Sequence, residues 1–203
     1  MLLIWGWRTR FKTLSEGGFH CPSCGGDRHY AHKQARTWFT LFFIPLIPLK
    51  VKGTFVECRT CSQGYDERIL ALPTSAALGE QLTAATREAA VHLLRVGDTP
   101  AARAAATAAL SRVSATAWPD AMLDADLRAL DVGQLPARLR QLGEVMNEHG
   151  KEQFLASITP IAASGGVLDG AGRQILGAIA ADLGMTPAHA RGVIDQAMDP
   201  SGR

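Results

Sequence analysis

The chain lacks an apolar run long enough to cross a membrane as a helix. Its two most apolar runs are residues 1–7 and 38–49, whereas a spanning helix needs ~20 apolar residues. Pro45 and Pro48 would also interrupt a helix in the second run. The first run is too short to be the apolar core of a signal peptide with its cleavage site. We therefore expect a soluble, cytoplasmic protein without a transmembrane segment, and the apolar runs leave peripheral membrane contact open.

The sequence also lacks the short motifs of common catalytic sites. It has no G-x-S-x-G, no phosphate-binding loop ending in Lys-Ser or Lys-Thr, and no H-E-x-x-H. His92, His149 and His189 fall within helical sequence, where we expect structural roles. A net charge of +2 is too small to indicate a particular partner. These absences predict a protein that is not an enzyme.

Aromatic residues are almost missing from the second part of the chain, which separates two regions. Residues 1–72 contain three of the four Trp, both Tyr and six of the seven Phe, with a net charge of +5. Residues 73–203 are rich in alanine and carry a net charge of −3. The shift predicts two domains with a boundary after Leu72, the first rich in strands and the second all helical. The fold class is therefore α+β, in separate domains.

Cysteine is limited to four residues, which form two C-x-x-C pairs 33 residues apart. The pairs are Cys21 with Cys24 and Cys58 with Cys61. A C-x-x-C turn points both thiolates at one ion, and two such turns complete a tetrahedral four-sulfur shell of the kind that Zn²⁺ favours. Two disulfides are the main alternative, but they are uncommon in a reducing compartment. A redox C-x-x-C is a weaker alternative, because no thioredoxin-like βαβ pattern surrounds the pairs.

A site with four cysteine ligands has no position left for water, so the predicted zinc is structural rather than catalytic. His20, His29 and His32 are the histidines near enough in sequence to replace a ligand. We expect the pairs to lie at the tips of β-hairpins, with strands near residues 1–7, 38–44 and 51–57 and a turn at residues 15–18. The metal would supply a folding free energy on the order of 10 kcal/mol to so small a domain.

Three parts of the first domain resemble a bacterial zinc-ribbon family. They are the Ile4-Trp5-Gly6-Trp7 run, the two cysteine pairs, and residues 38–48 between the pairs. Members of that family carry a W-[FT]-x-x-F-F-I-P-x-x-P segment at the last of these positions. The resemblance covers roughly residues 1–70. It implies a zinc-ribbon fold with one structural zinc ion, and no established enzymatic activity.

The second domain shows helical periodicity throughout and no predicted sheet. Apolar residues recur at steps of three and four, Thr-Pro pairs open two helices, and glycines end others. We predict a bundle of seven helices, at about residues 76–96, 100–116, 120–130, 135–149, 151–163, 169–183 and 187–198.

The helical domain resembles the TerB-like family, which is associated with tellurite resistance. The resemblance is carried by residues 158–163, 166–169, 175–184 and 186–187. The family's A-D-G-x-[IV]-x-x-x-E pattern is incomplete here, and Asp169 is the acid that remains nearby. Asp98 occupies the related position in a weak internal repeat. Two carboxylates are few for a Ca²⁺ or Mg²⁺ site, so Asp98 and Asp169 are weak candidates for a second metal.

These features favour a non-enzymatic zinc-binding scaffold with a protein partner, and by the TerB-like resemblance a connection to metal or tellurite stress. The alternative is a nucleic-acid-binding ribbon with a helical oligomerisation domain. It would use basic and aromatic residues near the first cysteine pair. Those residues are Arg28, Tyr30, His32, Lys33, Arg36 and Trp38, with Lys50, Lys52 and Arg59 nearby.

Overall fold

The computed structural model describes residues 5–41, 44–164 and 167–199. The chain divides into two units, Met1–Leu78 and Gly79–Arg203. The first unit contains an antiparallel sheet, and nearly all of the helical sequence lies in the second. The predicted α+β class is therefore confirmed.

The sheet of the first unit has the order β1-β2-β3-β4, with every pair antiparallel. Its strands are β1 (Trp5–Cys21), β2 (Gly26–Leu41), β3 (Ile44–Cys58) and the short β4 (Gly64–Tyr65). A 3-10 helix follows at Glu67–Ala71, with Asp66 as its N-cap. Among the described residues β4 pairs only with Val56 and Glu57 of β3, so the rest of β3 is an edge of the described sheet.

The turn predicted at residues 15–18 is wrong, because β1 continues through them to Cys21. The register shifts between Thr13 and Ser15, so the strand absorbs the irregularity as a bulge. Gly17 lies opposite Tyr30, and a β-carbon at Gly17 would be 3.0 Å from the Tyr30 ring. Glycine here therefore makes room for an aromatic ring on the neighbouring strand.

The two prolines of the apolar run lie inside β3, although the sequence indicated a further strand only from residue 51. Pro48 pairs with Trp38, and Pro45 with Thr40. Proline lacks a backbone N–H and is tolerated on an edge strand, which β3 is at this point. Of the strand predicted at residues 1–7, residues 1–4 lie outside the described residues, and the remainder belongs to β1.

The core of the first unit is small and lies at the cysteine end of the sheet. Phe19, Cys21, Val56 and Cys58 are buried there, and five partly buried side chains pack around them: Cys24, Tyr30, Tyr65, Ile69 and Leu70. The Phe19 ring makes edge contacts with Tyr30 and Tyr65, at centroid distances of 5.8 and 5.9 Å. So few buried side chains make a bound metal an important part of this core.

The described residues after the sheet form seven α-helices, as predicted. They are α1 (Ser75–Leu94), α2 (Pro100–Ser114), α3 (Asp120–Ala129), α4 (Leu135–Val145), α5 (Glu148–Ala162), α6 (Gly170–Asp182) and α7 (Pro187–Met198). Helix α5 packs against α2, α6 and α7, and α4 packs against α6. The fully buried Leu155 and Ile158 of α5 lie in the core of this unit.

Two details of the helical unit differ from the prediction. Helix α4 ends at Val145 rather than near His149, because the Asn147 side chain accepts a hydrogen bond from Gly150 N and caps α5. A short antiparallel pair, β5 (Ala163–Ser164) with β6 (Val167–Leu168), joins α5 to α6 where no sheet was predicted. Two-residue strands show no periodicity that a sequence could reveal.

Candidate metal centre

Each cysteine pair lies in a tight turn at the end of a long strand. Strand β1 ends at Cys21 and β3 ends at Cys58. Gly25 N donates to Cys21 O, and Ser62 N donates to Cys58 O, both at 2.9 Å. Gly25 and Ser62 occupy the same position in the two turns, and both have left-handed φ values, 65° and 59°. The two turns therefore share one backbone geometry, although only the first has a glycine at the strained position.

The four Sγ atoms form one cluster, in which all lie within 4.8 Å of one another. The Cys21 and Cys61 sulfurs are 3.8 Å apart. A tetrahedron with Zn–S bonds of about 2.3 Å has S–S edges of about 3.8 Å, whereas a disulfide bond is about 2.05 Å long. All four cysteines are free. The donor set and its spacing fit one tetrahedral Zn²⁺ and do not fit disulfides.

Burial divides the four ligands into an inner and an outer pair. Cys21 and Cys58 are fully buried, Cys24 is half-buried and Cys61 is exposed. The first cysteine of each turn is thus anchored in the core, and the second closes the site from the surface. With four thiolates no coordination position remains for substrate or water, so the ion is structural.

The surroundings of Cys21, Cys24 and Cys58 shift the pKa values of these three thiols in different directions. Burial raises the pKa of Cys21, but the hydrogen bond with the Tyr65 hydroxyl and further hydrogen bonds outweigh it and lower that pKa to about 6. The pKa of Cys24 is raised to about 12 by burial and by its hydrogen bonds with Cys61 and Cys21. Burial also raises the pKa of Cys58, but hydrogen bonds from the backbone of Cys61 and Thr60 leave it lowered. The hydrogen bonds around the buried sulfurs of Cys21 and Cys58 therefore favour the thiolate form that binds a cation.

Tyr65 is a site residue that sequence reasoning missed. Its hydroxyl lies 3.3 Å from Cys21 Sγ and 2.7 Å from Ser23 Oγ, so it links β4 to the first cysteine turn. The hydrogen bond with Cys21 raises the pKa of Tyr65, because ionisation would remove the shared proton. The sequence offered one indication of this role: Tyr65 is an aromatic residue in an otherwise polar segment, four residues after Cys61.

The nearby histidines make contacts outside the metal cluster. His20 Nδ1 lies 3.0 Å from Ser75 Oγ, and His32 Nε2 lies 2.7 Å from Glu67 Oε1. Asp27, opposite His20 in the register, accepts from the backbone N–H groups of Ser75 and Ala76 at 2.8 and 3.1 Å. These backbone donors lower the pKa of Asp27. His20 and Asp27 therefore organise the start of α1.

Asp98 and Asp169 are engaged in local structure. Asp98 accepts two hydrogen bonds from the Arg103 guanidinium, at 2.7 and 2.8 Å, and these lower its pKa. Asp169 caps α6 by accepting from Gly172 N at 2.6 Å. Within residues 5–41, 44–164 and 167–199, the four cysteines are the one group of three or more His, Cys, Asp or Glu side chains spaced to hold a metal.

Several of the residues named for a nucleic-acid surface make contacts within the first unit. Tyr30 packs against Phe19 in the core, His32 binds Glu67, and Lys33 forms an ion pair with Glu57. Arg36 and Trp38 lie farther along β2, away from the cysteines. The members of this group that lie nearest the first cysteine pair are therefore engaged within the unit, and Arg36 and Trp38 lie beyond them.

The helical unit contains a cleft of about 1030 Å³ between α2, α5 and α7. Its polar side chains make contacts within the unit. His189 Nε2 lies 2.7 Å from Glu152 Oε1, and the Ser157 hydroxyl donates to Phe154 O. His149 Nε2 lies 2.9 Å from Gln153 Nε2 on the same helix. Both histidines therefore make side-chain contacts within the helical unit.

No helix in the described part of the chain is both long and apolar enough to span a bilayer. Comparison with known proteins found no match among curated proteins and none among solved structures. Residues 19–84 match a zinc-ribbon family, and this match contains both cysteine turns. The N-terminal segment of the chain is thus a zinc ribbon that holds one structural zinc ion, for which Cys21, Cys24, Cys58 and Cys61 supply the sulfur ligands.

Proposed function

We propose that the protein is a non-enzymatic, zinc-stabilised scaffold that binds a protein partner through one face of its long sheet. The observation that carries this proposal is a row of exposed aromatic and aliphatic side chains beyond the zinc end of the sheet. Trp7 is 65% exposed, Phe11 60% and Ile47 55%. Trp7 and Ile47, which belong to the two apolar runs, are thus not buried in the core around the cysteines.

These side chains share one face because of strand alternation and register. Residues two apart on a strand point to the same face, and directly paired residues share a face. Trp7 pairs with Phe39, and Phe39 pairs with Ile47. Phe11 is four residues after Trp7 in a regular part of β1. We call this surface the apolar face; its members are Trp7, Phe11, Phe39, Ile47 and Phe55.

Phe11 and Phe55 contact each other across β2, with ring centroids 5.6 Å apart and planes at 86°. Ala35 lies between them, paired with Phe11 on one side and Gly53 on the other. Because the Ala35 side chain is small, the two rings contact each other over β2 and form a continuous aromatic surface. Burial of one such aromatic side chain by a partner would contribute about 1.5–3 kcal/mol to the binding free energy, so this surface favours association.

The closed zinc site supports a non-catalytic role, because a four-thiolate ion offers no open position for chemistry. Zinc–thiolate binding needs reduced cysteines, so we also assign the protein to a reducing compartment such as the cytoplasm. A connection to metal or tellurite stress rests on the TerB-like sequence resemblance of the helical domain. It requires a second metal besides the zinc.

Site-specific photo-crosslinking in cells tests the scaffold proposal. A crosslinker at Thr9, on the apolar face, should capture a protein partner, and one at Lys12, on the opposite face, should not. The captured protein is then purified, and its affinity is measured for the zinc-loaded wild type, Phe11→Thr and Val96→Thr. Val96 is an exposed apolar residue in the helical unit and is the matched control.

We expect Phe11→Thr to weaken binding about tenfold or more, equivalent to at least ~1.4 kcal/mol, and Val96→Thr to leave it unchanged. Capture of a second copy of the chain would also support the proposal, with self-association as the function of this face. Equal capture from Thr9 and Lys12, or no effect of Phe11→Thr on binding, would refute it.

Elemental analysis tests the stress hypothesis separately. A second bound metal that is lost in Asp98→Asn or Asp169→Asn would support it. One zinc per chain, unchanged by either substitution, would argue against it.

A further inference from the structure

The face of the sheet opposite the apolar face is basic. Arg8, Arg10 and Lys12 alternate with Trp7, Thr9 and Phe11 along β1, so they point the other way. Their partners on β2 are Trp38, Arg36 and Gln34 respectively. We call this surface the basic face; its members are Arg8, Arg10, Lys12, Gln34, Arg36 and Trp38.

Arg10 and Arg36 lie directly opposite each other in the register. Like charges at such positions destabilise a sheet. Among the described residues no carboxylate forms an ion pair with Arg10, Lys12 or Arg36, because the acids of this unit are bound elsewhere. Each has its own partner: Glu16 with Arg59, Asp27 with His20, Glu57 with Lys33, Asp66 with Arg68, and Glu67 with His32.

The positive charge is therefore concentrated on one part of the unit. Residues 5–15, 33–41 and 44–55 contain no Asp or Glu at all. A bound anion would reduce the electrostatic repulsion between like charges that lie this close together. Since the basic side chains extend along a strand, the anion that fits them carries several charges in a row.

Trp38 adds an aromatic surface to these charges. It is half-buried, lies opposite Arg8, and follows Arg36 by two residues on the same face. A ring fixed among cationic side chains is the arrangement used to stack an unpaired base while the cations hold the phosphates. We propose that the basic face binds single-stranded nucleic acid, with phosphates at Arg10, Lys12 and Arg36 and a base on Trp38.

An anionic membrane fits the sheet less well. Membrane contact would need the basic and the exposed apolar side chains on the same side, but Phe11 and Ile47 lie on the apolar face. The partner proposed here therefore differs from the protein partner of the apolar face, and either proposal can fail without the other.

Fluorescence anisotropy on the zinc-loaded full chain tests the inference, with a labelled oligothymidylate of about 20 nucleotides as the probe. Three phosphate contacts predict that log K falls with log salt with a slope of about −2 between about 50 and 200 mM salt. Arg10→Gln and Arg36→Gln should each weaken binding several-fold and make the slope shallower by about 0.7. Arg128→Gln, an equal change of charge at an exposed position of α3, is the matched control and should have no effect.

Protein stability distinguishes lost contacts from misfolding. Since Arg10→Gln removes a like-charge pair, the variant should unfold at the same temperature as the wild type or higher, while its affinity falls. Trp38→Leu should weaken binding roughly tenfold and Trp38→Phe much less, because phenylalanine keeps a stacking surface.

Two further probes distinguish a single-stranded nucleic acid from other anionic ligands. An abasic oligonucleotide of equal length should bind more weakly than oligothymidylate, and vesicles rich in phosphatidylserine should not compete. Equal affinity for the abasic strand, preferential binding to the vesicles, or unchanged affinity in Arg10→Gln and Arg36→Gln would each overturn the inference.

Discussion

The Tyr65 hydroxyl lies 3.3 Å from the sulfur of Cys21, which is fully buried. The same hydroxyl is 2.7 Å from Ser23 Oγ, so its single proton can be donated to either group. Tyr65 belongs to β4, a strand of only two residues. Strand β4 therefore contributes to the metal site, because it places the Tyr65 hydroxyl, a hydrogen-bond donor, beside the ligand Cys21.

Replacing Tyr65 by Phe should weaken zinc binding by roughly 10- to 100-fold, because hydrogen-bond partners of metal ligands contribute on that scale. Competition with a chromophoric chelator at neutral pH measures the change. Tyr30→Phe is the control, since Tyr30 contributes its ring to the same core. Equal zinc affinities for the wild type and Tyr65→Phe would show that the hydroxyl does not assist the site.

Removal of zinc should unfold the sheet of the first unit and leave the helices of the second intact. The buried core around Phe19 and Val56 is small, and structural zinc contributes on the order of 10 kcal/mol to folding. Hydrogen exchange after treatment with a chelator should show lost protection in β1–β3 and retained protection in α5. Retained protection in the strands would mean that the sheet is stable without metal.

Gly143 in α4 should not tolerate alanine. A β-carbon there would be 2.6 Å from the carbonyl oxygen of Leu183, at the end of α6. The backbone would have to move, and overpacking of this kind costs about 1–3 kcal/mol. Chemical denaturation followed by circular dichroism measures the loss.

Gly177 provides the matched comparison. It lies within α6, and nothing is within 4 Å of a β-carbon built on it. Gly177→Ala should raise stability by about 0.5–1 kcal/mol, because alanine favours a helix. Unchanged stability in Gly143→Ala would contradict the close packing of α4 on the end of α6, and destabilisation by Gly177→Ala would contradict the open space at that position.

The pair of Asp98 and Arg103 should make the stability of the helical unit depend on acidic pH. The hydrogen bond from Arg103 lowers the pKa of Asp98 below its ordinary value of 3.8. A carboxyl with a lowered pKa in the folded state stabilises the fold above the unfolded value, and this contribution disappears as pH falls through the folded value.

The stability difference between the wild type and Asp98→Asn should therefore be largest near neutral pH and shrink below pH 3.8. Urea unfolding at several pH values, followed by the helical signal, gives the difference. Arg103→Gln should reproduce the trend. A difference that stays constant into acid would show that the ion pair does not act on folding.

Much of the architecture was predictable because its signals are local. The spacing of Cys21, Cys24, Cys58 and Cys61 indicated one tetrahedral site, since two residues between thiols suffice to aim both at one ion. Thr99 and Thr186 marked helix starts, each before a proline at the first helical position. Errors arose where two local signals competed, as at Asn147, whose cap separates α4 from α5.

The zinc, its four cysteine ligands, the order of the seven helices and the concentration of positive charge in the first third could be predicted from the sequence alone. Which side chains of distant segments contact each other depends on the fold as a whole. The register of β1 on β2 set Arg10 against Arg36 and Trp7 against Phe39. The path of β4 brought Tyr65 to Cys21. Both depend on pairing between distant parts of the chain, where a shift of one residue reverses every side chain.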